Sequence, residues 1–132
     1  EVIIFALMHL FMKRFSAAQI FVLAMFLTAV RWFLLGGFVD SIAVLLIAQL
    51  LHAATFGLFH AAAIHLIHRY FSGRLQARGQ ALYSGLSTGF GGAVGGLMSG
   101  YAWDGLGNEV TFYISGVMAL VGGVMAWVWV RN

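Results

Sequence analysis

Apolar residues run through the chain in long blocks that polar residues interrupt at nearly regular intervals. A partial block, Glu1 to Met12, comes first, and four complete ones follow near Ala17–Leu35, Ser41–His68, Ala81–Trp103 and Val110–Val130. The complete blocks are close to, or longer than, the roughly 20 residues that cross a bilayer core as a helix. Backbone groups facing lipid have no water to bind, so every block is expected to be an α-helix. The connections read KRFS, GGFVD, RYFSGRLQARGQ and DGLGNE, with RN at the end. With no obvious repeat or linker, the pattern predicts an all-α, polytopic membrane protein, one unit covering residues 1–132.

Composition strengthens this reading. Of 132 residues 62% are hydrophobic and 8% charged, far from the near-half apolar, quarter charged make-up of soluble domains. The absence of cysteine removes disulfides, thiolate metal sites and thiol nucleophiles. A formal charge of +3 comes from basic residues scattered between apolar blocks, which form no patch for nucleic acid. They mark sidedness instead. Lys13, Arg14, Arg69, Arg74, Arg78 and Arg131 fall on one side, and Asp40, Asp104 and Glu109 on the other. The positive-inside rule puts the first set, and the carboxyl terminus, in the cytoplasm. Trp32, Tyr101 and Trp103 then lie near the outer ends, and Tyr70, Trp127 and Trp129 near the inner ends, as interfacial anchors. The chain starts at Glu1 and runs directly into an apolar stretch with no basic leader, so a piece of a longer protein is expected.

Charged groups at membrane depth are costly, about 2.5–3.5 kcal/mol at a helix centre, and those away from helix ends need a reason. Glu1 lies about 18 Å from the cytoplasmic boundary at Lys13, Arg31 about 22 Å from Ser16, and His52 about 18 Å below the outer boundary at Asp40. These residues come from different helices yet lie within the central to outer-central depth of the core, where a carboxylate and a guanidinium at similar depth are able to pair. The alternative for Arg31 is snorkelling to the outer headgroups. Gln49, His52, Thr55 and His60 occupy an arc of about 140° on one helix, which suggests a lined cavity; an interhelical histidine satisfied by packing is the competing explanation. Imidazole suits proton transfer and donates to substrate oxygens. Nine of the 17 glycines fall between Gly85 and Gly107. On an ideal wheel Gly85, Gly89, Gly92, Gly96 and Gly100 fall within about 80°, a small-residue face for close helix packing.

Other chemistries fit poorly. His60 and His65 diverge by about 140° on one helix, so no metal site is expected. YSGLSTG lacks a nucleophile elbow, GFGGAVGG lacks the Lys-Ser/Thr of a phosphate loop, and Ser84 and Ser87 are expected to bond to the preceding turn. No enzyme and no resident cofactor are expected.

The strings EVIIFALMHLFMKRFS, AVRWFLLGG, QLLHAATFGLFHAA and RLQARGQALYSGLSTGFGGAVGGLMSGYAWDGLG together resemble the carboxyl-terminal half of major facilitator superfamily transporters, of the 3-phenylpropionate transporter-like type related to lactose permease. The resemblance covers essentially the whole chain. It implies helices eight to twelve of a twelve-helix fold, an amino-terminal half as partner, and a substrate path at the midplane between halves that rock. A helix-eight glutamate, a helix-nine arginine and a helix-ten His-x-x-Glu pair serve substrate and proton in lactose permease, and Glu1, Arg31 and His52 match the first three. Thr55 stands where the last glutamate is expected and is unable to carry a proton. The loop keeps Lys13 and Arg14 but lacks the acid of the superfamily signature. The implied function is import of a small organic solute, such as an aromatic acid, driven by the proton gradient across a bacterial inner membrane. Sugar or nucleoside symport on the same fold, and a membrane assembly protein without transport, are the alternatives.

Overall fold

A computed structural model describes residues 14–130 of the chain. The expected partial helix Glu1–Met12, with Lys13 and Arg131, lies outside the described residues. Among those described there is no strand, and the chain runs as α1 (Ala17–Phe38), α2 (Ile42–Tyr70), α3 (Gln76–Tyr83), α4 (Gly92–Leu106) and α5 (Asn108–Trp129). Three of them, α1, α2 and α5, are long and apolar enough to cross a membrane.

The start of α1 is written in its first residues. Ser16 accepts from the Gln19 amide at 3.2 Å, and the Ser16 amide donates to Gln19 Oε1 at 3.0 Å, a reciprocal capping box. α1 is the central helix, with α2 on one side and α5 on the other. Small residues allow both approaches. Toward α2, Ile20 and Ala24 form a buried cluster with Leu58 and Ala62, flanked by Phe21 and Phe59, whose ring centroids are 4.6 Å apart. Toward α5, Gly116, Ala119, Gly123 and Ala126 present a buried small-residue face. Phe33 packs over Gly116 and Tyr113 over Gly36, so aromatic rings from one helix fill the hollows left by glycines on the other.

The block expected as a single helix near Ala81–Trp103 differs from that expectation. It starts earlier, at Gln76, after a short 3₁₀ turn at Gly73–Leu75 that shortens the expected basic loop, and it contains a π-helical segment at Ser84–Gly91. The wider turn brings the carbonyl of each residue toward the fifth residue ahead. A Cβ on Gly91 would meet Leu86 O at 3.2 Å, and one on Gly89 would meet Ser84 O at 3.7 Å. Glycine is suited to such crowding because it has no Cβ. The Ser87 hydroxyl bonds the Tyr83 carbonyl at 2.6 Å, the expected back-bond to the preceding turn. α4 and α5 meet at Gly107, whose φ of 87° is a backbone conformation that glycine adopts without a steric penalty.

Among the described residues the glycine stripe has no helix against it. A Cβ at Gly85, Gly92, Gly96 or Gly100 would meet nothing within 4 Å, and Gly89 meets only its own turn. Among the described residues the close glycine contacts lie between α1 and α5, and at Gly79 in the α2–α3 hairpin.

Candidate functional site

α1 and α2 run antiparallel, and above the Ile20–Leu58 cluster their facing surfaces separate into a cleft of about 220 Å³. Met25, Thr28 and Arg31 line it from α1; His52, Thr55, Phe56 and Phe59 line it from α2. The one-turn spacing of each set puts it on one helical face. Arg31 and His52, both placed within the core by residue counting, thus share one wall-to-wall space.

The cleft's two hydroxyls are already engaged. Thr28 Oγ1 donates to Ala24 O at 2.8 Å, and Thr55 Oγ1 lies 2.8 Å from Leu51 O and 3.2 Å from His52 O. Thr55 is only 3% exposed. The polar groups left to act on a solute are the guanidinium and the imidazole. Arg31 makes no ion pair among the described residues, and its Nε is buried without a hydrogen-bond partner. An unmet charged donor inside a helix pair is expensive, and an anion in the cleft would relieve that cost. Phe56 and Phe59 supply apolar surface beside it.

The expected polar arc of α2 is divided. His52 and Thr55 reach the cleft, Gln49 is exposed and does not line it, and His60 turns toward α3. The His60 ring stacks on Phe56 at 6.1 Å and 4°, while the Tyr83 hydroxyl stands 3.5 Å from His60 Nδ1. Nearer the end of α2, Gln80 Nε2 and His68 Nε2 form a 3.0 Å hydrogen bond, and Gly79 lies against Phe71 and Ile67, closing the α2–α3 hairpin. Glu1 lies outside the described residues.

Residue counting missed two features. Trp32 lies beneath the Arg31 guanidinium, with Cζ 4.2 Å from the ring centroid, although its position alone reads as an interfacial anchor. Tyr83 joins α3 to His60, and only the hairpin's register brings the two together.

Comparison with known proteins agrees with this architecture. Residues 1–114 match the MFS_1 like family. Over 123 residues the chain is 32% identical to a probable 3-phenylpropionic acid transporter of Escherichia coli strain K12, an alignment covering 91% of this chain and 31% of that protein. The chain therefore spans about 31% of the length of the curated relative it matches. No solved structure matches it. On these findings the chain belongs to the MFS_1 like family, within the major facilitator superfamily of membrane transporters.

Proposed function

We propose that the chain contributes helices eight to twelve of a secondary transporter that imports a small organic anion together with protons. An aromatic carboxylate of the 3-phenylpropionate kind is the solute that suits the cleft. The carrying observation is the Arg31 guanidinium, whose Nε is buried and unbonded beside Phe56 and Phe59. A carboxylate accepts from a guanidinium in a bidentate fork, and a phenyl ring fits between phenylalanine side chains. His52 donates to the solute or takes part in proton transfer, and Glu1 and His60 are the other candidates for the coupling proton. Thr55, hydrogen-bonded to its own helix, has a structural part.

The work is done by the proton gradient, with no covalent step and no cofactor. In this reading the protein sits in a bacterial inner membrane, with the Arg69–Arg78 connection and the carboxyl terminus in the cytoplasm, and a preceding half completes the path.

The decisive experiment records external pH in de-energised vesicles containing the full-length protein when 3-phenylpropionate is added. Alkalinisation that disappears in Arg31→Ala, at unchanged protein abundance, supports symport through this site. Labelled-solute uptake without a pH change retains transport and removes the coupling, and normal uptake in Arg31→Ala removes the role of Arg31.

A further inference from the structure

A guanidinium is planar, and its face and its edge do different chemistry. The face rests on aromatic rings, whereas the edge carries the N–H groups that fork onto a carboxylate. In this protein the Arg31 Cζ stands over the Trp32 ring, 4.2 Å from its centroid. The edge has no carboxylate partner among the described residues. Trp32 is itself packed, its ring stacking on Phe112 of α5 at 5.8 Å and 23°. Phe112 in turn meets Trp103 near the end of α4 edge-on, at 5.7 Å and 89°. Three helices thus contribute one chain of aromatic contacts that ends at a single cation.

Such an arrangement answers a physical problem. A long arginine side chain five residues before Gly36 is able to reach outward and hydrate its charge among headgroups. Attraction to the indole face opposes that excursion, and it strengthens where water is scarce. A carboxylate in the same place would also hold the guanidinium, but it would fill the fork that a solute needs.

We propose that Trp32 is a positioning residue: it holds the Arg31 guanidinium by its face, leaving the N–H edge free to receive the carboxylate of the transported solute. Trp32 does not line the cleft, so it acts through Arg31. The inference rests on the transport reading above and assigns recognition of the anionic group to a pair of neighbouring residues.

The test is the kinetics of labelled 3-phenylpropionate uptake in vesicles of the full-length protein, comparing wild type with Trp32→Leu, Trp32→Phe and Phe112→Leu. Trp32→Leu is expected to raise KM about tenfold, equivalent to about 1.4 kcal/mol, with abundance and maximal rate little changed. Trp32→Phe keeps an aromatic face and restores most of the affinity, while Phe112→Leu gives a smaller rise in KM. An unchanged KM in Trp32→Leu overturns the proposal. So does a loss of abundance that Trp32→Phe fails to rescue, because that is a packing role. Wild-type vesicles that take up no 3-phenylpropionate overturn the aromatic-acid reading itself, and the proposal falls with it.

Discussion

Gly116→Ala probes the α1–α5 contact with a single methyl group. An added Cβ would stand 2.9 Å from Phe33 Cε1, 3.0 Å from Cζ and 3.1 Å from Cδ1. Carbon atoms rest about 3.5–4.0 Å apart, so the whole ring face has to retreat. Its retreat is obstructed. Phe33 lies 6.1 Å from the Tyr113 ring, and Tyr113 already covers Gly36, where a Cβ would meet it at 3.1 Å. Overpacking of this kind costs about 1–3 kcal/mol, and alanine's better helix propensity returns up to about 1 kcal/mol. A net destabilisation of about 1 kcal/mol follows. Gly122→Ala makes a shorter contact, 2.6 Å, but with the terminal Cε of Met25. A flexible methionine end yields more easily than a ring, so the closer contact is expected to be the milder one. The assay is reversible unfolding in mixed micelles of Gly116→Ala, Gly122→Ala, Phe33→Leu and the Gly116→Ala/Phe33→Leu double variant. Removing the ring should relieve most of the Gly116→Ala penalty. An identical penalty with and without the Phe33 ring would refute the interlock.

Further expectations concern the site and its orientation. Thr55→Val removes a hydroxyl that bonds only its own helix; it should lower stability by about 1 kcal/mol while uptake of labelled 3-phenylpropionate persists, and complete loss of uptake at normal abundance would show that the hydroxyl meets the solute. Because the chain has no cysteine, Ser72→Cys and Asn108→Cys each introduce a single thiol in the described region. An impermeant maleimide should label the second from outside the cell and the first only after the membrane is opened; the reverse pattern would invert the topology.

The helical character of the chain was legible because it follows from a one-dimensional rule. Hydrophobic blocks give helices, and 1.5 Å per residue gives depth; that arithmetic kept both Arg31 and His52 away from the helix ends, and they share a cleft. Azimuth was less accessible. The wheel grouped Gln49 and His60 with His52, whereas helix contacts send His60 to Tyr83 and leave Gln49 exposed. Glycine density drew attention to Gly85–Gly100, yet the described glycine packing between α1 and α5 uses Gly36, Gly116, Gly122 and Gly123, and Gly79 packs in the hairpin. The signal there was the spacing of Gly116, Ala119, Gly123 and Ala126, in which alanine counts as small. The Trp32 contact with Arg31 was not legible for a related reason: a position near a helix end suggests the lipid interface, and nothing in the linear pattern reveals a neighbouring side chain folding back over the ring.

The π segment at Ser84–Gly91 bears on how this chain is compared with its relatives. A helix that opens from α to π takes up an inserted residue without rotating everything beyond it. Deleting one residue between Ser84 and Gly91 should therefore let the segment tighten to α geometry while Gly92–Leu106 keeps its orientation. An aligned relative with a one-residue gap here would share the same downstream helix face, and an ungapped comparison would displace every position after it.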